Sequence, residues 1–437
     1  MSIPVITFGP AQDKLVSGLE RLHGPVTVVR RCSELTELMA ACQSGLARAA
    51  VVADGTDGLT ASLVARLDAV GVTVIALTDE PDEAARLKAV GVAVAPAGIE
   101  ADSLAAAISE TVQERNERTG PVSQAEFSGV GAGDFPVKQA SSPAEEFPAA
   151  VNVGKVIAVW GPAGAPGRTM LAVNIAAELA AAGSSVLLVD ADSYGASAAA
   201  ALGLLDEAAG LAQACRMADQ GVLTPDALRK AAVDVHTKHG SFQFLSGITR
   251  ADRWTELRPI ALSVVLERAV QTRQVVVIDV GFCLESDEEL SYDTLAPRRN
   301  GATLRCLELA DEVIAVGAAD AVGVPRLVRG LAELEAAVPD ANVRVVMNKV
   351  RQSSAGRSPR HQLSEAWERF GPAKGIDTYL PADFEACDAA LLSGSVLLEC
   401  SPDSALRKGI AGLVCAWGQQ KRESPGRSSR ALAFLKR

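Results

Sequence analysis

Aromatic residues are scarce in this chain: 4% of 437 residues, within a hydrophobic share of 48%. Its cores must therefore be built from Ala, Val and Leu, a composition that suits layered α/β structure. No run of about 18 apolar residues occurs, and no charged-then-apolar leader opens the chain, so neither a membrane span nor a secretory signal is expected. The 8 cysteines stand singly, with no C-x-x-C pair and no histidine at ligand spacing, which argues against zinc and for reduced thiols in the cytosol. Positive charge is also in deficit. A net charge of -11 disfavours nucleic acid as a general partner, because neutralising phosphates takes a clustered basic surface.

What is present is a strand–helix alternation, in two stretches. Residues 1–115 carry five short apolar strands, VITF, VTVV, AAVVAD, VTVIALT and VAVAP, separated by Ala/Leu-rich helical segments. Such alternation predicts a doubly wound parallel sheet. Residues 116–152 lose that periodicity and fill with Gly, Ser, Pro and Glu, the composition of a flexible linker. Alternation returns over 153–418 with VIAVW, VLLVD, FQFL, VVVID, VIAVG, VRVVM and DTYL, apolar runs expected of strands buried on both faces. Residues 419–437 form a basic, Ser-rich tail. The expected fold class is α/β, two doubly wound parallel-sheet domains. A chain of this length is too long for one ordinary core.

The segment VIAVWGPAGAPGRTM, residues 156–170, carries the most chemistry: an apolar strand, a Gly/Pro-rich loop, then a helix. Gly161, Gly164, Ala165, Pro166, Gly167, Arg168, Thr169 and Met170 present backbone N–H groups and a helix N-terminus to one point. A phosphate chain is held in this way, so a nucleoside triphosphate, ATP, with Mg²⁺ on Thr169, is the expected ligand. The loop departs from G-x-x-x-x-G-K-[ST] in two respects: five residues separate Gly161 from Gly167, and Arg168 stands in the lysine position. Arginine's planar fork is bulkier than an ammonium and no conservative replacement. Read as a dinucleotide fingerprint, the same glycines fail on their G-x-x-G-x-x-G spacing.

VLLVDADSYGAS sets Asp190 at a strand's carboxyl end and Asp192 just beyond, where ligands bind in open α/β sheets. Asp192 can orient a water and Asp190 can support a Mg²⁺ shell; alternatively Asp190 only caps the next helix. VVVIDVG ends in Asp279, the pattern of a carboxylate that holds Mg²⁺ through water. Asn348 in VVMNKV can read an adenine edge, and Pro381 follows in YLPADFE. Arg250, Arg253 and Trp254, and the acids and arginines of SYDTLAPRRN, are weaker candidates for contact with nucleotide or partner.

In this order and spacing, residues 153–417 resemble the MinD/ParA family of deviant-Walker P-loop ATPases. The added N-terminal part is most similar to the CpaE/TadZ branch, which joins a degenerate receiver domain to such an ATPase and helps localise pilus or division machinery. The resemblance implies an ATP-dependent homodimer with catalytic Arg168 and Asp192, metal-binding Thr169, Asp190 and Asp279, and an adenine contact at Asn348. It implies protein partners in septum-site determination, chromosome partitioning, or pilus and secretion assembly. Both family lysines are missing: Pro162 and Arg168 lie near their places, which predicts retained binding with slow turnover. The receiver likeness puts Asp54 in the place of a phosphoacceptor and Thr78 in that of its switch hydroxyl. The acids that would hold Mg²⁺ there are lacking, so Asp54 reads as vestigial. The rival reading is a non-catalytic pseudo-ATPase scaffold working by protein–protein contact. The tail SRALAFLKR leaves open peripheral contact with the inner face of the plasma membrane.

Overall fold

The computed structural model describes residues 2–9, 13–22, 24–53, 55–119, 154–204, 209–286 and 297–423. Asp54, most of the expected linker, residues 291–296 of SYDTLAPRRN and the tail beyond Glu423 lie outside the described residues.

Two sheets organise the chain. The first contains β1 (Ile3–Phe8), β2 (Val26–Cys32), β3 (Ala49–Val52), β4 (Thr73–Leu77) and β5 (Ala93–Ala95), in the order β2-β1-β3-β4-β5. Every pairing is parallel, and the order reverses between β1 and β3, a doubly wound topology.

The second sheet comprises β6 (Lys155–Trp160), β7 (Val186–Ala191), β8 (Val233–Thr237), β9 (Gly240–Leu245), β10 (Val275–Val280), β11 (Glu312–Ala318), β12 (Val343–Val350) and β13 (Thr378–Pro381). Their order is β13-β12-β11-β6-β10-β7-β9-β8. Because successive strand residues point to opposite faces, β6 divides itself between two cores: Val156, Ala158 and Trp160 on one face, Ile157 and Val159 on the other. The α/β class read from the sequence is therefore the observed one.

The pairing register positions the site. In parallel strands equivalent residues sit at one level, and Asp279 of β10 is paired with Asp190 of β7 on one side and Val159 of β6 on the other. The carboxyl ends of β6, β7 and β10 thus meet at one edge of the sheet. Beside them the helix Arg168–Ala181 is pinned by Leu171, Ile175 and Leu179, all buried. Full burial of each such side chain contributes about 1.5–3 kcal/mol, so the loop ahead of Arg168 hangs between two firmly packed elements.

Three features differ from the sequence reading. The edge strand β8 pairs antiparallel with β9; largely exposed, it lacks the apolar run that marks a buried strand. The helix Ala101–Thr119 continues past position 116, where the linker was placed, and the helix Ala405–Glu423 past 419. Glu and Arg in both, joined by Gln and Lys in the second, favour continued helix despite their polarity.

The two sheet layers also touch. The Ser62 N–H donates to Asp219 Oδ1 (2.8 Å), while the other Asp219 oxygen takes Arg258 Nη1 (3.1 Å). Arg86 donates to the carbonyls of Thr56 (2.7 Å) and Gln220 (3.2 Å), joining the turn after β3 to the second layer.

Candidate functional site

The loop between β6 and its helix is held in shape by side chains from distant strands. Asn348 Nδ2 donates to the Pro166 carbonyl (2.8 Å) and Lys349 Nζ to that of Ala165 (2.7 Å). Arg326 Nη1 lies 3.4 Å from the Ala163 carbonyl. Ala165 and Lys349 both take positive φ, 50° and 59°, a conformation non-glycine residues rarely adopt without surrounding support. Gly167, at φ 102°, is the N-cap of the helix, and a Cβ there would come 2.6 Å from Asn348 Nδ2. Gly167→Ala is accordingly expected to destabilise the fold by about 1–3 kcal/mol and to displace the Asn348 tether. Chemical denaturation checks the first effect and nucleotide titration the second.

Arg168 points back under its own loop. Its Nη1 donates to the carbonyls of Gly161 (2.9 Å) and Pro162 (3.4 Å), and its Nη2 to Asp192 Oδ2 (3.2 Å). The pair is largely shielded, with side chains 13% and 7% exposed. The other Asp192 oxygen accepts the backbone N–H groups of Tyr194 (2.8 Å) and Gly195 (3.2 Å). Beyond it, Tyr194 packs against Phe282 and under the Arg299 guanidinium, and its hydroxyl donates to Asn300 (2.8 Å).

Asp279 is in the opposite situation. It is completely buried, and neither carboxylate oxygen has a hydrogen-bond partner. Burial and the neighbouring Asp190 charge hold its pKa well above the ordinary carboxylate range, only partly offset by Thr169 and Arg168 beside it. Thr169 Oγ1 accepts Ser197 Oγ (3.3 Å).

Two sequence assignments meet side chains already engaged elsewhere. Asp190, read as support for a Mg²⁺ shell, has both oxygens held by backbone: Oδ2 accepts Ala198 N–H (2.9 Å) and Oδ1 accepts Asp192 N–H (3.2 Å). Burial pushes its pKa up to about 6. It caps the short helix Ala198–Ala201, the alternative that the sequence left open. Asn348, read as an adenine contact, gives its NH₂ group to Pro166 and its oxygen to the Lys349 N–H (2.8 Å). It is a strut of the loop, buried at 8% exposure. Met170 lies in the helix's first turn, where Asn174 donates to its carbonyl (2.8 Å). Pro381 ends β13 at the sheet's edge.

Arg250 and Arg253 form local ion pairs with Asp252 and Glu256; Arg253 and Trp254 lie in the 3₁₀ turn Ala251–Glu256, and Arg250 directly precedes it. Thr78 Oγ1 accepts the Glu80 N–H (3.2 Å), and Asp54 lies outside the described residues. Sequence reasoning missed Arg326, Ser197 and Phe282. Lys349 had been quoted within VVMNKV without a role, and its neighbour Asn348 was its only signal.

A largely parallel sheet in which β6 runs into a glycine-containing loop and helix, with acids at the carboxyl ends of β10 beside it and of β7 one strand further out, defines an α/β nucleotide-binding domain. The chain belongs to the CobQ/CobB/MinD/ParA nucleotide binding domain family, whose sequence model matches residues 157–391. Similar solved structures include a ParA family ATPase from Chlorobium tepidum TLS, at 17% identity and TM-score 0.49, covering 60% of this chain and 98% of that one. Another is the septum site-determining protein MinD of Pyrococcus horikoshii OT3, complexed with Mg-ADP, at 18% and 0.48, covering 61% and 97%. A third is cobyrinic acid a,c-diamide synthase from Mycobacterium smegmatis with bound ADP and magnesium, at 17% and 0.44, covering 63% and 98%. No protein with a curated description matches the sequence.

Proposed function

We propose that this chain is an ATP-binding switch of the MinD/ParA type, which pairs two copies of itself around nucleotide, positions partner proteins and turns ATP over slowly. One observation carries the reading: Asp279, fully buried with two unpartnered oxygens, at the foot of a loop that opens a 14-residue helix. A buried carboxylate without a partner is costly unless a ligand completes it.

The residues present fit Mg²⁺. Thr169 and Asp279 would hold it, Asp279 through water, and the ion would neutralise charge between the outer phosphates. Mg²⁺ held by so few protein groups would keep waters and phosphate oxygens as its other ligands. The backbone of residues 161–167 and the helix N-terminus would bind the phosphate chain. Arg168 would exchange its carbonyl contacts for phosphate oxygens.

Slow turnover follows from Asp192. Its two oxygens are engaged by Arg168, Tyr194 and Gly195, which leaves it poorly placed to orient a water.

Within this reading, the N-terminal part, through the helix Ala101–Thr119, is a docking module of receiver-like form, as in the CpaE/TadZ branch, followed by a linker up to 152, the ATPase from 153 through the helix Ala405–Glu423 and a basic tail. The β2-β1-β3-β4-β5 strand order supports the receiver likeness. Partners would belong to a pilus, secretion, division or partitioning system on the cytoplasmic side of the membrane. Among the described residues no helix is long and apolar enough to cross a membrane.

A second reading, a pseudo-ATPase scaffold, is favoured by the Arg168–Asp192 pair, which fills part of the site with the protein's own charges. Calorimetric titration of the full chain with ATP, with and without Mg²⁺, separates the two. Saturable Mg²⁺-dependent binding is expected, and absence of binding up to about 1 mM, a threshold near 4 kcal/mol of affinity, would leave the scaffold.

A further inference from the structure

We propose that Arg326 and Lys349 are phosphate ligands supplied from outside the loop, making the site select nucleotides by their number of phosphates. The inference rests on the nucleotide-binding reading above and extends it to two residues of separate elements, the helix Gly323–Ala337 and β12.

Both side chains bring positive charge onto the rim of the loop, and both bind only neutral carbonyls there: Arg326 that of Ala163 and Lys349 that of Ala165. Neither forms an ion pair among the described residues, so each is free to make a charge-assisted bond to an anion. The acid facing Lys349 is Asp320, whose Oδ1 accepts the N–H groups of Val322 (3.0 Å) and Gly323 (2.7 Å) and which forms no close ion pair with Lys349. Arg351, two residues on, donates to the Lys349 carbonyl and lies over the Phe384 ring, also without an ion pair among the described residues. A protein of net charge -11 has thus gathered cations around one turn that form no close ion pair among the described residues, with Asp320 the acid facing Lys349 and Arg351.

The local backbone is shaped to receive them. The Arg326 guanidinium occupies the space in front of Gly164, where any Cβ would lie 2.5 Å from Nη1, and Gly164 itself takes φ 113°. Lys349 reaches Ala165 from a left-handed backbone conformation. An independent pointer to a ligand lies beneath the loop in the unpartnered, fully buried Asp279. Carbonyl contacts are weak substitutes for an anionic partner, so phosphate oxygens entering the loop would draw both cations from them, each forming a charge-assisted hydrogen bond.

The test is titration of the full chain with ATP, ADP and AMP, each with Mg²⁺, using wild type, Arg326→Gln, Lys349→Gln and Arg326→Lys. Each glutamine variant is expected to weaken ATP by roughly tenfold and AMP by less than about twofold. Arg326→Lys should retain most of the ATP affinity, and wild-type affinity for ATP should fall more steeply with salt than that for AMP. Equal losses for ATP and AMP, or none, would show that the two residues only brace the loop and would overturn the inference. Since Arg326 is exposed and touches the loop at one carbonyl, its variants are expected to fold; melting curves without nucleotide confirm this. If wild type binds none of the three nucleotides, the reading of the site falls as well, an outcome distinct from wild-type binding that the variants leave unchanged.

Discussion

Replacing Asp279 with asparagine is expected to raise the stability of the nucleotide-free protein while removing the Mg²⁺ dependence of nucleotide binding. Asp279 is fully buried and neither oxygen has a hydrogen-bond partner, so at neutral pH the fold carries a charge only partly offset by Thr169 and Arg168 beside it, or must take up a proton to avoid one. Asparagine keeps the shape and removes the charge, at the lesser cost of a buried amide. The expected gain is about 1–3 kcal/mol, or a few degrees in melting temperature. The sign with pH is fixed. The folded-state pKa of Asp279 is raised above its unfolded value, so its contribution is fully present below about pH 4 and is lost as pH rises through the folded-state value. The advantage of asparagine should therefore be small at pH 5 and larger at pH 8. Melting curves at the two pH values check this; a variant less stable than wild type at pH 8 would mean that Asp279 has a partner in solution.

Arg168→Met should have the opposite effect on stability. It removes the guanidinium that joins Gly161, Pro162 and Asp192 and leaves Asp192, 5% exposed, without its cation. Breaking a buried pair from one side costs about 3–5 kcal/mol, and the lower end applies because Tyr194 and Gly195 still donate to Asp192. Denaturant unfolding measures it. Nucleotide affinity should drop by at least about tenfold with the lost charge-assisted contact. Arg168→Lys should recover little, because one ammonium cannot span two carbonyls and a carboxylate arranged for a planar fork. A lysine variant that turned ATP over near the enzymatic median of about 10 per second would show that the longer loop closes around phosphate as a standard one does.

The parts of this site that follow from local pattern were legible in the sequence. Unbroken apolar runs identified the buried strands, and an aspartate at the end of such a run fixed Asp279 and Asp190 at the carboxyl edge of the sheet. The loop announced itself through its glycines and the Arg-Thr that opens the helix. The strut role of Asn348 and the approach of Arg326 were not legible, since each depends on a strand order that brings together residues 182 and 163 positions apart in the chain. At Asp190 the structure shows a partner eight residues away, the Ala198 N–H, which no run of residue types specifies. The strand β8 escaped for a related reason: an exposed edge strand needs no apolar run.

The central claim, that this loop binds ATP through Mg²⁺, is tested most directly by one calorimetric titration of the full chain with ATP, with Mg²⁺ and then with EDTA. Saturable binding well below about 1 mM with Mg²⁺, weakened in EDTA, is the predicted result. A flat titration up to that concentration under both conditions would contradict the account.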